Sequence, residues 1–164
     1  MMNINIRLFD KADAEAVSAV IAKTADISNA KDYPPQYIED LKNAFEPNDV
    51  IRRASWTHFY VVEEDGRIVG CGAIGPFWDS LTESCLFTIF VLPEMQGHGL
   101  GRKLIETLEA DEYGQRAVRI EVPASITAHE FYHKLGYEYK GGEKKLDENE
   151  LVYRMEKFTG RGEV

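Results

Sequence analysis

A glycine-rich segment in the second half of the chain has the residue types and spacing of an anion-binding loop. Residues 96–101 read Gln-Gly-His-Gly-Leu-Gly, and glycine lets the backbone approach an anion closely because it carries no Cβ. The apolar run 86–92 precedes this loop, and Leu100, Leu104, Ile105 and Leu108 follow it at helical spacing. A strand, a glycine loop and a helix in this order bring unpaired N–H groups and the positive end of the helix dipole to the loop. The sequence therefore predicts a phosphate-binding site.

Two well-known glycine loops do not fit these residues. A Walker loop requires Gly-Lys-Ser/Thr, whereas Arg102 and Lys103 follow Gly101 here. The dinucleotide fingerprint requires the spacing GxGxxG, whereas the spacing here is GxGxG and the preceding strand lies in mid-chain. Glycines alone would indicate no more than a flexible turn, so the function depends on what accompanies them.

A second segment, residues 128–137, predicts a helix with one apolar face. Its apolar positions fall at i, i+3, i+4 and i+7, and they are Ala128, Phe131, Tyr132 and Leu135. Gly136 stands where such a helix ends. Thr127 with Glu130 has the spacing of a capping box and Ser125 is a rival cap, so the start of the helix is fixed only to within one turn. By itself this pattern is typical of a helix that packs on a core.

Together the two segments resemble the two motifs of the GNAT acetyltransferase superfamily. Residues 96–101 match Gln/Arg-x-x-Gly-x-Gly/Ala, and Val-x-Pro precedes them at 91–93. Residues 128–137 resemble AxxFYxxxGF, with Tyr137 at the final aromatic position. The motifs and the strands around them cover roughly residues 57–140, and their joint occurrence is a specific signal.

The resemblance implies that acetyl-CoA is the co-substrate and that it lies between two strands that splay apart, one ending at Val91 and one near Val118. The main-chain N–H of Val91 would face the thioester carbonyl, where an oxyanion develops during attack. Arg102, Lys103 and Lys134 could lie near the phosphates. The residues expected to bind acetyl-CoA are Phe90, Val91, Leu92, Gln96, Gly97, His98, Gly99, Leu100, Gly101, Arg102 and Lys103.

The resemblance also implies the catalytic residues. Tyr132 occupies the tyrosine position of the second motif and is the candidate acid for the CoA thiolate. Transfer from a phenol of pKa about 10 to a thiolate of pKa about 8.5 is uphill by roughly 2 kcal/mol, and a lowered Tyr132 pKa or a concerted transfer would remove this obstacle. Many relatives carry their base where this chain has Cys85, so Glu83, two residues earlier on the same strand face, is the candidate base. His58 and Glu121 are weaker candidates.

Length and composition suit one acidic globular enzyme. The 164 residues and 18.6 kDa predict a single domain, 1–164. No apolar run of about 20 residues occurs, so we expect neither a signal peptide nor a membrane span and a cytoplasmic location. Two cysteines, Cys71 and Cys85, make neither a disulfide framework nor a metal set, and we expect no metal. The net charge of −9 argues against nucleic acid. Both a monomer and a homodimer stay open.

The remaining pattern predicts an α/β architecture in which helices flank a mixed sheet. Strands are expected at 4–8, 59–62, 68–74, 86–92, 118–122, 137–140 and 151–156, and Glu64-Asp-Gly66 is a strong hairpin turn between the second and third. Two helices are expected between the first two strands, with a short further turn near Pro47. The order β-α-α-β-β-β-α-β-α-β-β resembles the GNAT fold.

The sequence thus predicts an N-acetyltransferase that moves an acetyl group from acetyl-CoA to a primary amine by direct attack. The acceptor, a small molecule or a peptide, is not specified, because in this fold variable helices and loops select it. The alternative is a non-catalytic module that binds acyl-CoA or CoA as a sensor or regulatory subunit. The missing motif glutamate favours that alternative, whereas Tyr132 disfavours it.

Overall fold

The computed structural model describes residues 3–161, in which helices flank a single mixed sheet. The strands are β1 (Ile4–Leu8), β2 (His58–Glu64), β3 (Arg67–Pro76), β4 (Glu83–Val91), β5 (Arg119–Ser125), β6 (Glu138–Tyr139), β7 (Leu146–Asp147) and β8 (Val152–Phe158). The helices are α1 (Ala14–Ile27), α2 (Pro35–Asn43), α3 (Pro47–Ala54), α4 (Leu100–Ala110), α5 (Glu112–Arg116) and α6 (His129–Lys134).

The sheet has the order β1-β2-β3-β4-β5-β8-β6, and β7 pairs with β8. Neighbouring strands are antiparallel except β4 and β5, which are parallel. The ladder between these two covers only three pairs, the last of which joins Cys85 to Glu121. Beyond that pair β4 and β5 separate, which opens the middle of the sheet.

Side chains of β2 show how each face of the sheet is covered. Phe59 and Val61 pack in one apolar cluster with α1 and α3, whereas Val62 and Tyr60 contact the cluster on the opposite face. The helix α4 presents its apolar stripe to this second face, through Leu100, Leu104, Ile105 and Leu108. The start of α4 therefore has a fixed position beside the gap between β4 and β5.

The sequence predicted the fold correctly, with three local differences. The turn expected near Pro47 is a full helix of eight residues, because Glu46 and Asp49 form a reciprocal capping box. The helix α5 and the two-residue strand β7 were not predicted, since both are too short to show a period. Neither expected cap bonds to α6 itself, because Ser125 Oγ accepts the Ala128 N–H at 3.1 Å in the turn before the helix and Thr127 donates to Asp32 at 2.8 Å.

Two further observations apply to residues 3–161. No helix in that range is both long enough and apolar enough to cross a membrane. No group of three or more His, Cys, Asp or Glu side chains in that range is arranged to hold a metal ion.

Candidate acetyl-transfer site

A cavity of about 680 Å³ lies where β4 and β5 separate. Its wall includes β4 from Leu86 to Val91, the glycine loop, the start of α6 and side chains of α1 and α2. Three cations line it, Arg53, Arg102 and Lys134, and no carboxylate from residues 3–161 does so. The cavity is therefore suited to an anionic ligand, although the whole chain carries a net charge of −9.

The glycine loop has the backbone conformation of an anion cradle. Gly97 and Gly99 have φ angles of 83° and 80°, and nothing lies within 4 Å of the position of a Cβ on either residue. The helix α4 begins at the next residue, and its first turn closes with the Lys103 N–H donating to Gly99 O at 3.1 Å. The earlier N–H groups of α4 have no partner within the helix and can bind an anion.

Gln96 holds this loop in place. Its Nε2 donates to the carbonyl oxygen of Val91 at 3.0 Å and to the Oγ of Ser28 at 3.1 Å. These bonds join the loop to the end of β4 and to the end of α1. The amide of Gln96 therefore positions the loop, although the residue also lines the cavity.

The residues expected to bind acetyl-CoA divide into two groups. The larger group lines the cavity and consists of Phe90, Val91, Gln96, Gly97, Gly99, Gly101 and Arg102. Leu92 and Leu100 do not line it, because their side chains are buried in the core. The side chains of His98 and Lys103 are exposed outside the lining.

The strand β4 is irregular where it borders the cavity. Its pairing with β3 is interrupted at Thr88 and Ile89, and Thr88 has a φ of 56°. This conformation is uncommon for a β-branched residue and marks a β-bulge of the type that re-aims backbone groups beside active sites. No pattern in the sequence indicated it.

The backbone of Val91 faces the cleft. The next residue, Leu92, donates its N–H to Val69 O at 2.9 Å, and Val91 itself lies opposite Gly70. Because N–H groups alternate between the edges of an antiparallel strand, the Val91 N–H points away from β3. The ladder of β5 ends before it reaches this residue, so the N–H is available to a ligand.

Tyr132 is buried in the wall of the cavity, with 4% of its surface exposed. Its ring packs edge to face with Phe131 and Tyr137, at centroid distances of 5.2 and 6.0 Å. Within residues 3–161 its hydroxyl makes no hydrogen bond, although it is not sealed from the cavity. Burial raises the pKa of Tyr132, with a further contribution from Cys85. A lowered pKa, one of the two routes considered above for proton transfer, does not occur in this environment.

Three carboxylates bind one arginine, Arg119, beside the short ladder of β4 and β5, and the third of them is Glu156, whose Oε1 lies 2.8 Å from Nε. Arg119 binds Glu83 Oε1 through Nη1 at 2.8 Å and contacts Glu121 through Nη2. A second cavity of about 690 Å³ is lined by Glu121 and Cys85 but not by Glu83. Glu121 is 2% exposed and also pairs with Lys140 at 2.8 Å. Sequence analysis placed Glu121 second to Glu83, because strand pairing across the chain cannot be read from local patterns.

The second cavity adjoins the first, because Phe87 and Pro123 line both. Cys85 lies in this region with 5% of its surface exposed, and burial raises the pKa of its thiol to about 12. His58, another weak candidate for the base, lies elsewhere, with its Nδ1 at 2.8 Å from Asp111 Oδ1. Neither cavity is lined by His58.

Comparison with known proteins gives a consistent result. The model of the acetyltransferase (GNAT) domain family matches residues 55–139. The amino-acid acetyltransferase of Mycobacterium tuberculosis is 33% identical over 90 residues, which are 53% of this chain and 49% of that protein. The uncharacterized N-acetyltransferase YjgM of Escherichia coli is 34% identical over 85 residues, 49% of this chain and 51% of that protein. This chain thus spans about half the length of the curated relatives it matches.

A solved structure extends the likeness to nearly the whole chain. The PaiA N-acetyltransferase of Thermoplasma acidophilum, crystallised with coenzyme A, superimposes with a TM-score of 0.80. The match covers 96% of this chain and all of that chain, at 18% sequence identity. At that identity the likeness establishes the fold alone.

Proposed function

The chain belongs to the GNAT acetyltransferase family, and from that premise we propose that it transfers an acetyl group from acetyl-CoA to a primary amine. The observation that carries this proposal is the cavity between β4 and β5, which runs from the glycine loop to Tyr132. A CoA thioester requires an anion cradle for its phosphates and a proton donor for its sulfur, and the Tyr132 phenol makes no hydrogen bond to any residue of the range 3–161. The PaiA enzyme, which has the same fold, was crystallised with coenzyme A.

In the proposed complex, the pyrophosphate of acetyl-CoA lies on the N–H groups at the start of α4. Gly97 and Gly99 leave the space that the phosphates fill, and Arg102 and Lys134 supply positive charge at the wall. The pantetheine follows the open edge of β4. The Val91 N–H then stabilises the negative charge that develops on the thioester oxygen as the amine attacks.

The reaction proceeds by direct attack. The amine nitrogen bonds to the thioester carbon, the carbon–sulfur bond breaks, and CoA leaves as a thiolate. Tyr132 gives its proton to that sulfur. Because burial raises the Tyr132 pKa, the transfer must be concerted with departure of the thiolate rather than a separate step. The same burial keeps the phenol protonated, so the acid is present throughout the working pH range.

The amine must lose a proton before or during attack, since an alkylammonium ion of pKa near 10 is almost wholly protonated at neutral pH. We propose that this proton passes through water to Glu83 or Glu121, two of the three carboxylates that bind Arg119. Glu83 lies two residues before Cys85, which occupies the motif position of the base, and Glu121 borders the second cavity. Cys85 cannot serve, because burial raises the pKa of its thiol to about 12.

Thiol release from acetyl-CoA, measured against a panel of primary amines, tests the proposal. We expect release that depends on the amine and yields one acetylated amine for each thiol. Calorimetry with CoA completes the test. Tight CoA binding without release for any amine would contradict the proposal and favour the sensor.

A further inference from the structure

Arg53 in α3 lies in the wall of the first cavity, the one that the glycine loop also lines. Within residues 3–161 its guanidinium makes no ion pair and no hydrogen bond, whereas its neighbour Arg52 pairs with Asp49 at 3.0 Å. The Cζ of Arg53 lies 4.4 Å from the centre of the Phe45 ring. This contact stabilises the cation but uses none of its five N–H donors.

The position of Arg53 separates it from the phosphate site. Phe45, which it covers, accepts a hydrogen bond from Ser18 at 2.7 Å, and Gln96 of the glycine loop donates to Ser28 at 3.1 Å. These two serines are ten residues apart on α1, which corresponds to about 15 Å along a helix. Arg53 therefore lies well away from the loop that would hold the phosphates, over the Phe45 ring, which meets Phe90 of β4 at a centroid distance of 5.9 Å.

Much of the wall of the cavity that Arg53 lines is apolar and aromatic. Tyr33 and Tyr37 stack at 4.1 Å, and their hydroxyls donate to the carbonyl oxygens of Leu151 and Glu150. Their rings therefore face the cavity while their polar tips are bonded elsewhere. Phe87 completes this part of the wall. Among residues 3–161, the other charged side chains that line this cavity are Arg102 and Lys134, which we assign to the phosphates.

We propose that Arg53 binds a carboxylate of the acceptor, so that the acceptor is an amine that also carries a carboxylate and an apolar substituent. Guanidinium and carboxylate match in a two-pronged geometry, which would orient the amine as well as hold it. The inference rests on the proposed function, since it names the acceptor class of the same site. Burial lowers the pKa of Arg53 and the charge of Asp49 offsets this only in part, so an anionic ligand at the guanidinium would relieve the remaining cost.

A carboxylate could reach Arg53 from another source, the far end of an acyl group such as succinyl. We assign it to the acceptor, because the aromatic wall is suited to a bulky substituent and a short dicarboxylic acyl chain has none. A comparison of succinyl-CoA with acetyl-CoA separates the two sources.

The test compares Arg53→Gln with the matched control Arg52→Gln, an exposed neighbour on the same helix. Acceptors are offered in pairs, L-phenylalanine with L-phenylalaninamide and L-leucine with L-leucinamide. We expect Arg53→Gln to raise KM for the acids by about 10- to 100-fold, the range typical of a lost charged hydrogen bond. KM for the amides and for acetyl-CoA should stay within about twofold in both variants. Equal losses for acids and amides would overturn the proposal, as would a wild-type preference for the amides.

A binding measurement makes the result independent of turnover. Calorimetry in the presence of CoA compares N-acetyl-L-phenylalanine with its amide, and we expect the acid to bind more tightly in the wild type only. If no amine is acetylated, the proposed function fails. The difference in affinity between the acid and the amide still tests the role of Arg53. Loss of the difference in Arg53→Gln supports the inference, and its persistence overturns it. Arg53→Gln could instead lose the use of succinyl-CoA and keep the preference for acids over amides among acceptors. That result would place the carboxylate on the acyl group and would also overturn the proposal.

Discussion

Gly101 at the start of α4 lies directly against the ring of Phe131 on α6. A Cβ on Gly101 would be 2.9 Å from the Cζ of Phe131, closer than carbon atoms approach without displacement. The glycine motif and the aromatic motif are thus two sides of one contact. The third glycine is required for packing, whereas the first two are required for their left-handed backbone.

The first prediction is that Gly101→Ala destabilises the protein. The added methyl group forces Phe131 to move, and overpacking of this kind costs about 1–3 kcal/mol. We expect a lower melting temperature together with weaker CoA binding, because Phe131 also lines the cavity. The double variant Gly101→Ala, Phe131→Leu should recover part of the stability. A single variant as stable as the wild type would show that the ring moves freely.

The second prediction concerns the phosphate site. Gly99→Asp should abolish CoA binding, because a carboxylate beside the pyrophosphate repels it at the end of the helix where anions otherwise bind. Gly99→Asn is the matched control, since asparagine has the same shape, tolerates the left-handed conformation and adds no charge. Nothing lies within 4 Å of the Cβ position, so both variants should fold. Equal CoA affinities in the two variants, measured by calorimetry, would show that charge at this position does not matter.

The sequence was sufficient to predict the glycine loop and the order of the main strands, because both depend on local patterns. The spacing of Leu100, Leu104, Ile105 and Leu108 fixes which face of α4 is buried, and the structure agrees. The positions of Arg53 and Glu121 could not be predicted in this way. The position of Arg53 depends on how α3 packs. The position of Glu121 depends on which residue of β4 lies opposite it in the sheet.

The bulge at Thr88 is a backbone feature that the sequence also could not predict. A residue of high β propensity in an apolar run predicts a regular strand. The positive φ of Thr88 arises instead from the mismatch between β3 and β4, over which Ala73 pairs with Phe87 and Cys71 with Phe90. The pairing of β3 with β4 thus determines the conformation of Thr88, and no residue type in the sequence predicts it.

The third prediction is that Tyr132→Phe lowers kcat by about 10²-fold or more. Affinity for acetyl-CoA should change little, because only the proton donor is lost. Stability should also change little, since the hydroxyl bonds to no residue in the range 3–161. Because burial raises the Tyr132 pKa, the wild-type rate should show no basic limb from this residue at neutral or mildly alkaline pH. An unchanged kcat would make Tyr132 a core residue only.

The fourth prediction is that Cys85 takes no covalent part. Its thiol, with a pKa raised to about 12 by burial and by Glu121, stays protonated and is a poor nucleophile at neutral pH. Cys85→Ala should keep most of the activity, and acetyl-CoA mixed with the enzyme alone should give no acetylated protein. Intact-mass spectra are the measurement. Stoichiometric acetylation at Cys85 would indicate a ping-pong mechanism instead.

The fifth prediction separates the roles of Glu83 and Glu121, two of the three carboxylates that bind Arg119. A carboxylate acts as a general base only when it is ionised. Its protonation as the pH falls therefore produces the acidic limb of the pH–rate profile. If Glu121 accepts the proton, Glu83→Gln removes a neighbouring negative charge and leaves Arg119 less neutralised. Both effects favour ionised Glu121 and move the acidic limb to lower pH, with the plateau rate retained. We expect this shift.

Glu121→Gln should instead remove the limb and lower the rate. It also removes one of the three carboxylates that bind Arg119 and the partner of Lys140, so we expect the protein to be less stable. Melting curves must therefore accompany the kinetics, and rates are compared only below the melting transition. If Glu83→Gln rather than Glu121→Gln abolishes the limb, Glu83 is the base and acts through water from outside the second cavity. If neither variant moves the acidic limb, the amine enters the site already neutral. Arg119 and the carboxylates that bind it then serve only to hold β4 beside β5.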